Sequence, residues 1–535
     1  MKLILFTLLF ISYSIGIDAQ YISKVWVADN GDGTYKNPVI NADYSDPDVI
    51  RVDNDFYLIS SSFNQTPGLP VLHSNDLVNW TIICHVLQQQ FPLEHFNKVQ
   101  NGNGVWAPSI RYHNHEFYIY YPDPDFGIYM TKAKNINGPW TDPVMVQAGR
   151  GLIDPCPLWD DNGKVYLVHA FAGSRAGIKS ILVVKQLNAE GTKVIDEGVL
   201  VFDGHDTDPT LEGPKFYKRN GWYYIFAPAG GVGTGWQIVL RSKNIYGPYE
   251  RKVVMDQGSG KINGPHQGAW VTTASGEDWF LHFQDKDAYG RVVHLQPMQW
   301  KNDWPVIGVD KDADGKGEPV MIFKKPFTSK KYPVETPAES DEFNTAALGM
   351  QWQWRANPKP SWAMPFITNG VMRLYAQSFP DSVKNYYEVP NILTQKFPAE
   401  EFTATTKFIF KPKQEGDKVA LTVMGMSYAY IAVIKKADGI YISNAVCNNA
   451  DKKNNESEKI ISKISAENIW LRVKVLKGAV CNFSYSINGT DFINAGEIFT
   501  ATPGRWIGAT IGLFCSETKT TNDSGFADFD WFRVN

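Results

Sequence analysis

The sequence predicts an all-β chain: a five-bladed β-propeller followed by an antiparallel β-sandwich. Three observations carry this. Between about residue 40 and residue 310, a short polar or acidic opening, a turn and an aromatic strand recur five times. A second marker, Asn-initiated and closed by an aromatic residue, returns later in several of these units. Beyond residue 338, runs of alternating apolar and polar residues follow one another without a long helical period, the pattern of half-buried antiparallel strands.

The first segment, Met1 to Ala19, reads as a secretory signal. Lys2 is its single basic residue, Leu3 to Ile17 is largely apolar, and Ala19-Gln20 is a plausible cleavage point. Export to a periplasm or to the outside of the cell is therefore expected. The apolar run is too short for a comfortable membrane span. Residues 20–36 form an N-terminal segment before the repeats begin.

The five openings of the propeller, residues 37–310, lie at Asp46, Trp106, Asp154, Glu212 and His266. Each leads through a turn to an aromatic or apolar strand, such as Phe56 to Ile59, Phe117 to Tyr120, or Trp222 to Phe226. A spacing of about 50–60 residues leaves room for four short strands per unit, the pattern of propeller blades. The second marker appears as Asn75 to Trp80, Asn135 to Trp140 and Asn244 to Tyr249, one outer turn used repeatedly.

Singly, Asp46-Pro47, Asp154-Pro155 and Glu212-Gly213-Pro214 are turn formers. Propeller geometry gives them more meaning. The first strand of each blade lines the central axis, so equivalent openings converge at one end of it. Three acids and a histidine at five equivalent places exceed what a structural repeat needs. Carboxylates facing one pocket suit glycoside hydrolysis: one acid protonates the leaving oxygen and another acts on water or on the anomeric carbon. A third can raise the donor's pKa by like-charge repulsion.

Residues 311–337, polar and rich in Gly, Lys and Pro, read as a linker. Their acids lack the spacing of an EF-hand calcium loop. The sandwich occupies residues 338–535, with strands expected at Phe402 to Phe410, Lys418 to Met424, Tyr428 to Ile434, Trp470 to Leu476 and Phe526 to Val534. Its Trp352, Trp354 and Trp362 suit either polysaccharide binding or packing of an interdomain face. This domain is also placed to lend a loop to the propeller mouth. The five cysteines are odd in number and have no C-x-x-C spacing. Buried thiols are expected, with Cys447–Cys481 or Cys481–Cys515 as the alternative disulfides.

Hydrophobic residues make up 43% of the 535, enough for sizeable cores in two or more domains. Lys and Arg number 52 against 56 Asp and Glu, a net charge of −4. That balance argues against a nucleic-acid partner or an anionic membrane surface.

Residues 37–308 resemble glycoside hydrolase family 43. The matching pieces are Asn37-Pro38-Val39, Ser45-Asp46-Pro47-Asp48, Val105-Trp106-Ala107-Pro108, Ile153-Asp154-Pro155, Leu211-Glu212-Gly213-Pro214, Gly264-Pro265-His266-Gln267-Gly268 and Tyr289-Gly290-Arg291. Gln351-Trp352-Gln353-Trp354 resembles the start of the concanavalin-like sandwich appended to xylosidase-type members. The resemblance implies an inverting exo-glycosidase that removes α-L-arabinofuranose or β-D-xylose from arabinoxylan-type oligosaccharides or polysaccharides. It implies Asp46 as general base, Glu212 as general acid and Asp154 as the group that orients Glu212 and tunes its pKa. It also implies sugar binding by Arg291, with Trp106 and Phe63 walling the pocket. His266 matches a channel histidine near a water-mediated cation, often Ca²⁺, and no cofactor is required for the chemistry. Two alternatives stand beside this reading: a non-catalytic carbohydrate-binding propeller, and a retaining propeller glycosidase of the invertase type. The invertase type needs Asn-Asp-Pro-Asn and Arg-Asp-Pro, where this chain has Ser45-Asp46-Pro47-Asp48 and Ile153-Asp154-Pro155.

Overall fold

A computed structural model describes residues 21–365, 370–380 and 382–535. The expected signal segment, Met1 to Ala19, lies outside the described residues. Among the described residues no helix is long and apolar enough to cross a membrane.

Five four-stranded antiparallel sheets, each in sequence order, form the blades. Their innermost strands are Asp48–Val52, Ser109–His113, Leu152–Trp159, Lys215–Arg219 and His266–Thr272 in blades I to V. The hairpins after these strands explain themselves locally. Asn114-His115 and Asn220-Gly221 both adopt left-handed backbone conformations, as type I′ turns require to match strand twist. The recurring outer marker is also one structure. Trp80 Nε1 donates to Leu77 O at 2.8 Å, Trp140 Nε1 to Ile136 O at 3.1 Å, and Tyr249 Oη to Ile245 O at 2.8 Å. In each case a buried or half-buried ring sends its polar tip back to the carbonyl of the turn.

The ring closes by packing rather than by a shared strand. Leu58 and Leu72 of blade I meet Leu281 and Leu295 of blade V in one cluster, each such side chain contributing about 1.5–3 kcal/mol when fully buried. The first propeller residue reinforces the seam: Asn37 Nδ2 donates to Leu295 O and Leu295 N to Asn37 Oδ1, both at 2.8 Å. The stretch read as a linker has structure of its own, because Ile322–Lys324 pairs antiparallel with Thr34–Lys36.

The C-terminal domain stacks a seven-stranded sheet on an eight-stranded one. Trp352, Trp354 and Trp362 are buried in its core, which decides for packing over polysaccharide binding. The two domains interlock. Trp354 exchanges backbone hydrogen bonds with Thr66 at 2.6 and 2.9 Å, and Ala288 from blade V joins the sandwich core. All five cysteines are free, so neither alternative disulfide forms. Cys156 does more than fill space: its sulfur accepts from Phe216 N at 3.2 Å and from Arg111 Nη2 at 2.7 Å. Arg111 also donates to Asp48 Oδ2 at 2.7 Å, bracing blades I, II and III across the axis.

Candidate active site

At the end of the axis where the inner strands begin, a cavity of about 230 Å³ opens. Its lining includes Asp46, Phe63, Trp106, Asp154, Glu212, Gln267, Arg291 and Trp506. Residues far apart in sequence meet here because blade openings are geometrically equivalent. A wider cavity, about 460 Å³, lies at the other end of the axis and has no carboxylate in its lining. An interdomain cleft near Tyr44 and Glu339 has none of the blade-opening acids.

The backbone is unusual at this mouth. Asp46 and Asp154 both have positive φ, 56° and 57°, and so do Phe63 at 50° and Gln267 at 41°. Non-glycine residues in this region are strained, and such strain persists where surrounding structure enforces it. Here it turns both carboxylates off the inner strands into the pocket.

Each acid has its own environment. Asp46 is 4% exposed; its Oδ2 accepts from Ser61 Oγ at 2.5 Å, and its Oδ1 lies 3.4 Å from Arg291 Nη1. Asp154 is 3% exposed, and its Oδ2 accepts from Gly213 N at 2.6 Å. Burial, then the neighbouring Glu212 carboxylate, push Asp154 up to about 8, while the Gly213 N–H pulls the other way. Glu212 is the more open of this pair, with its side chain 28% exposed. Its Oε1 lies 2.9 Å from His266 Nε2.

Arg291 is nearly enclosed. Burial works against its charge, but the Asp46, Asp285, Asp43 and Glu212 carboxylates outweigh that and raise its pKa. Its guanidinium lies over the Phe283 ring at 4.9 Å. Phe63 and Trp106 form one wall, ring centroids 6.5 Å apart, and Trp106 Nε1 is held by Gly102 O at 2.8 Å.

His266 stands behind the pocket rather than in its lining. Its Nε2 is engaged by Glu212, and its Nδ1 is buried without a partner, beside Gly235. That unpartnered Nδ1 is the atom that the water-mediated cation implied by resemblance would have to address. Among the described residues, the group of three potential metal ligands is Asp310, Asp312 and Asp314, a largely exposed cluster that does not include His266.

Among the lining residues that the sequence does not single out, Trp506 and Gln267 carry the side chains best suited to meet a sugar. Trp506 comes from a sandwich loop and meets Trp106 at 6.1 Å in an edge-to-face arrangement. Its one sequence signal is a Pro503-Gly504 turn just before an aromatic residue. Gln267 sits inside a quoted motif, but nothing in that motif marks its amide. In the structure Gln267 is buried with Nε2 unpartnered.

Comparison with known proteins agrees with this geometry. Residues 35–305 match the family described as Glycosyl hydrolases family 43, and residues 340–535 match the beta xylosidase C-terminal concanavalin A-like domain. A putative beta-xylosidase of Xylanibacter ruminicola is 41% identical over 92% of this chain and 88% of its own length. A non-reducing end alpha-L-arabinofuranosidase of Bacteroides ovatus is 29% identical over 93% of this chain and 94% of its own. The crystal structure of a family 43 protein mutant from Bacillus licheniformis aligns with a TM-score of 0.80 at 26% identity, covering 94% of this chain and 99% of that one. A triad of acids at one end of a five-bladed propeller axis, continued by the matching sandwich, makes this chain a glycoside hydrolase and a member of family 43.

Proposed function

We propose that the protein is an exported, inverting exo-glycosidase that releases terminal or branching pentose, β-D-xylose or α-L-arabinofuranose, from xylan-type saccharides. The single observation carrying this reading is the convergence of Asp46, Asp154 and Glu212 on one small cavity. Its volume is below the ~300–1,000 Å³ of drug-sized sites, which favours one terminal sugar over a threaded chain. The names of the relatives supply the substrate class. The apolar run from Leu3 to Ile17 supports export.

In this mechanism Asp46 takes a proton from water as its oxygen bonds to the anomeric carbon. Glu212 gives its proton to the departing glycosidic oxygen as the carbon–oxygen bond breaks. One water is consumed and the configuration inverts. Two anions so close resist being formed together, so Asp154 and Glu212 retain a proton between them. The Gly213 N–H favours the ionised form of Asp154 and the more open Glu212 delivers the proton. Arg291, 3.4 Å from Asp46, offers N–H groups to sugar hydroxyls.

Nitrophenyl β-D-xyloside and nitrophenyl α-L-arabinofuranoside, assayed side by side with the product anomer followed by NMR, test the proposal. Release of pentose with inversion is expected. Inactivity on both, or retention of configuration, would overturn it.

A further inference from the structure

Asp43 stands three residues before Asp46 and is buried at the junction of the two domains. Its Oδ1 accepts the backbone N–H of Arg291 at 2.9 Å. Its Oδ2 accepts the backbone N–H of Gly508 at 3.0 Å. One donor precedes the side chain that reaches Asp46; the other lies two residues beyond Trp506. A single carboxylate thus bridges a propeller strand and the sandwich loop that walls the same pocket.

The surrounding packing is built for this bridge. A Cβ on Gly290 would lie 2.5 Å from Asp43 Cβ and Cγ, and a Cβ on Gly508 would lie 2.7 Å from Gly290 N. Both glycines are therefore needed for the close approach of the two backbones. Ala509 N donates to Ala288 O at 2.7 Å, fixing the loop on its far side. The demand for an acid is chemical. Two converging N–H donors need two acceptor oxygens on one short side chain. Asparagine offers one oxygen and turns an NH₂ group toward the other donor. Hydrogen bonds from N–H groups to an ionised acceptor are also the stronger kind.

We infer that Asp43 is a positioning residue for catalysis: it sets Arg291 and the Trp506 loop in one register, so that the pocket is complete only when the sandwich is docked. This rests on the reading that Arg291 and Trp506 contact the sugar. Asp43 itself lies outside the pocket lining and acts through those two residues.

The test uses the full chain and the variants D43N, D43A, W506A and D43N/W506A. Steady-state kinetics on a nitrophenyl pentoside are paired with hydrogen–deuterium exchange over residues 503–510. D43N is expected to raise KM about tenfold with a smaller change in kcat, since displacement of positioning groups by fractions of an ångström is costly. Exchange at the Gly508 amide should accelerate. The double variant should lose less than the product of the single losses, because both act partly through one loop. D43A should show the larger exchange effect, and D43N, which keeps the shape of the side chain, guards against a folding failure. Wild-type KM in D43N, multiplicative losses, or unchanged exchange would overturn the inference. A lower melting temperature with unaltered KM would also overturn it, marking a merely structural contact. If the wild-type chain hydrolyses no pentoside yet exchange accelerates in D43N, the bridge stands and the substrate reading falls.

Discussion

His266 Nε2 lies 2.9 Å from Glu212 Oε1, joining blade V to the acid that opens blade IV. The imidazole is fully buried, whereas the Glu212 side chain keeps a solvent-facing portion. The ring therefore fixes one carboxyl oxygen and leaves the other to face a substrate. His266→Phe keeps a flat ring and removes this bond. It is expected to lower kcat about tenfold or more through misplacement of the acid. The loss should be larger on aryl pentosides with poor leaving groups. An unchanged kcat would show that Glu212 is oriented by other contacts.

Glu212→Gln removes the transferable proton and keeps the size of the side chain. Turnover of natural oligosaccharides should fall by at least ~10²-fold, the scale of general acid catalysis. Nitrophenyl substrates, whose leaving groups need little protonation, should suffer much less. A plot of log kcat against leaving-group pKa checks this, and equal losses across the series would exclude Glu212 as the acid.

Asp154 carries a stability cost with a defined sign. Burial and the Glu212 carboxylate, with which it shares a proton, push Asp154 up to about 8, above the ~3.9 of an unperturbed aspartate. Between those values the folded state binds the proton more tightly than the unfolded state. Stability therefore falls as pH rises from about 4 to about 8. Asp154→Asn cannot ionise and lacks this fall. Its melting temperature should match the wild type near pH 4 and exceed it near pH 8. Its activity should drop, with the alkaline limb of kcat/KM displaced to lower pH, because the variant loses the like-charge repulsion that helps the pair keep a proton. Parallel melting curves across this range would contradict the assigned cost.

How much of this was legible in the sequence follows from what kind of signal each residue leaves. The acids at positions 46, 154 and 212 could be placed together because blades repeat, and a repeat converts sequence spacing into spatial equivalence. The outer markers ending in Trp80, Trp140 and Tyr249 were readable for the same reason, and all three make the same ring-to-carbonyl bond. Trp506 belongs to no repeat. Its position depends on how two domains dock, which is set by pairs such as Thr66 with Trp354 and Ala288 with the sandwich core. The pairing of Ile322–Lys324 with Thr34–Lys36 joins two short segments nearly three hundred residues apart, and three residues leave too little periodicity to announce a strand. Asp43 leaves no signal of its own in the sequence, because its meaning lies in Gly508 at the other end of the chain.

Trp506 is 41% exposed and meets Trp106 edge-on, so its deletion opens the pocket without emptying a core. Trp506→Ala should change unfolding free energy by no more than about 0.5 kcal/mol, as surface substitutions do. KM for a pentoside should rise several-fold, from the loss of an aromatic wall against the sugar face. Large destabilisation with unaltered KM would assign the ring to domain docking alone.

Gln267 separates binding from stability most cleanly. It lines the pocket with strained backbone and a buried Nε2 that has no partner in the protein. An unsatisfied buried donor costs about 1–3 kcal/mol, while a hydrogen bond made to it on binding returns roughly 0.5–1.5 kcal/mol. Gln267→Met removes the amide at similar volume. The folded protein should become no less stable, and kcat/KM should fall about tenfold, the equivalent of ~1.4 kcal/mol in the transition state. Chemical denaturation and pentoside kinetics on the same preparation read both quantities. A destabilised variant with full activity would show that the Gln267 amide serves the fold rather than the sugar.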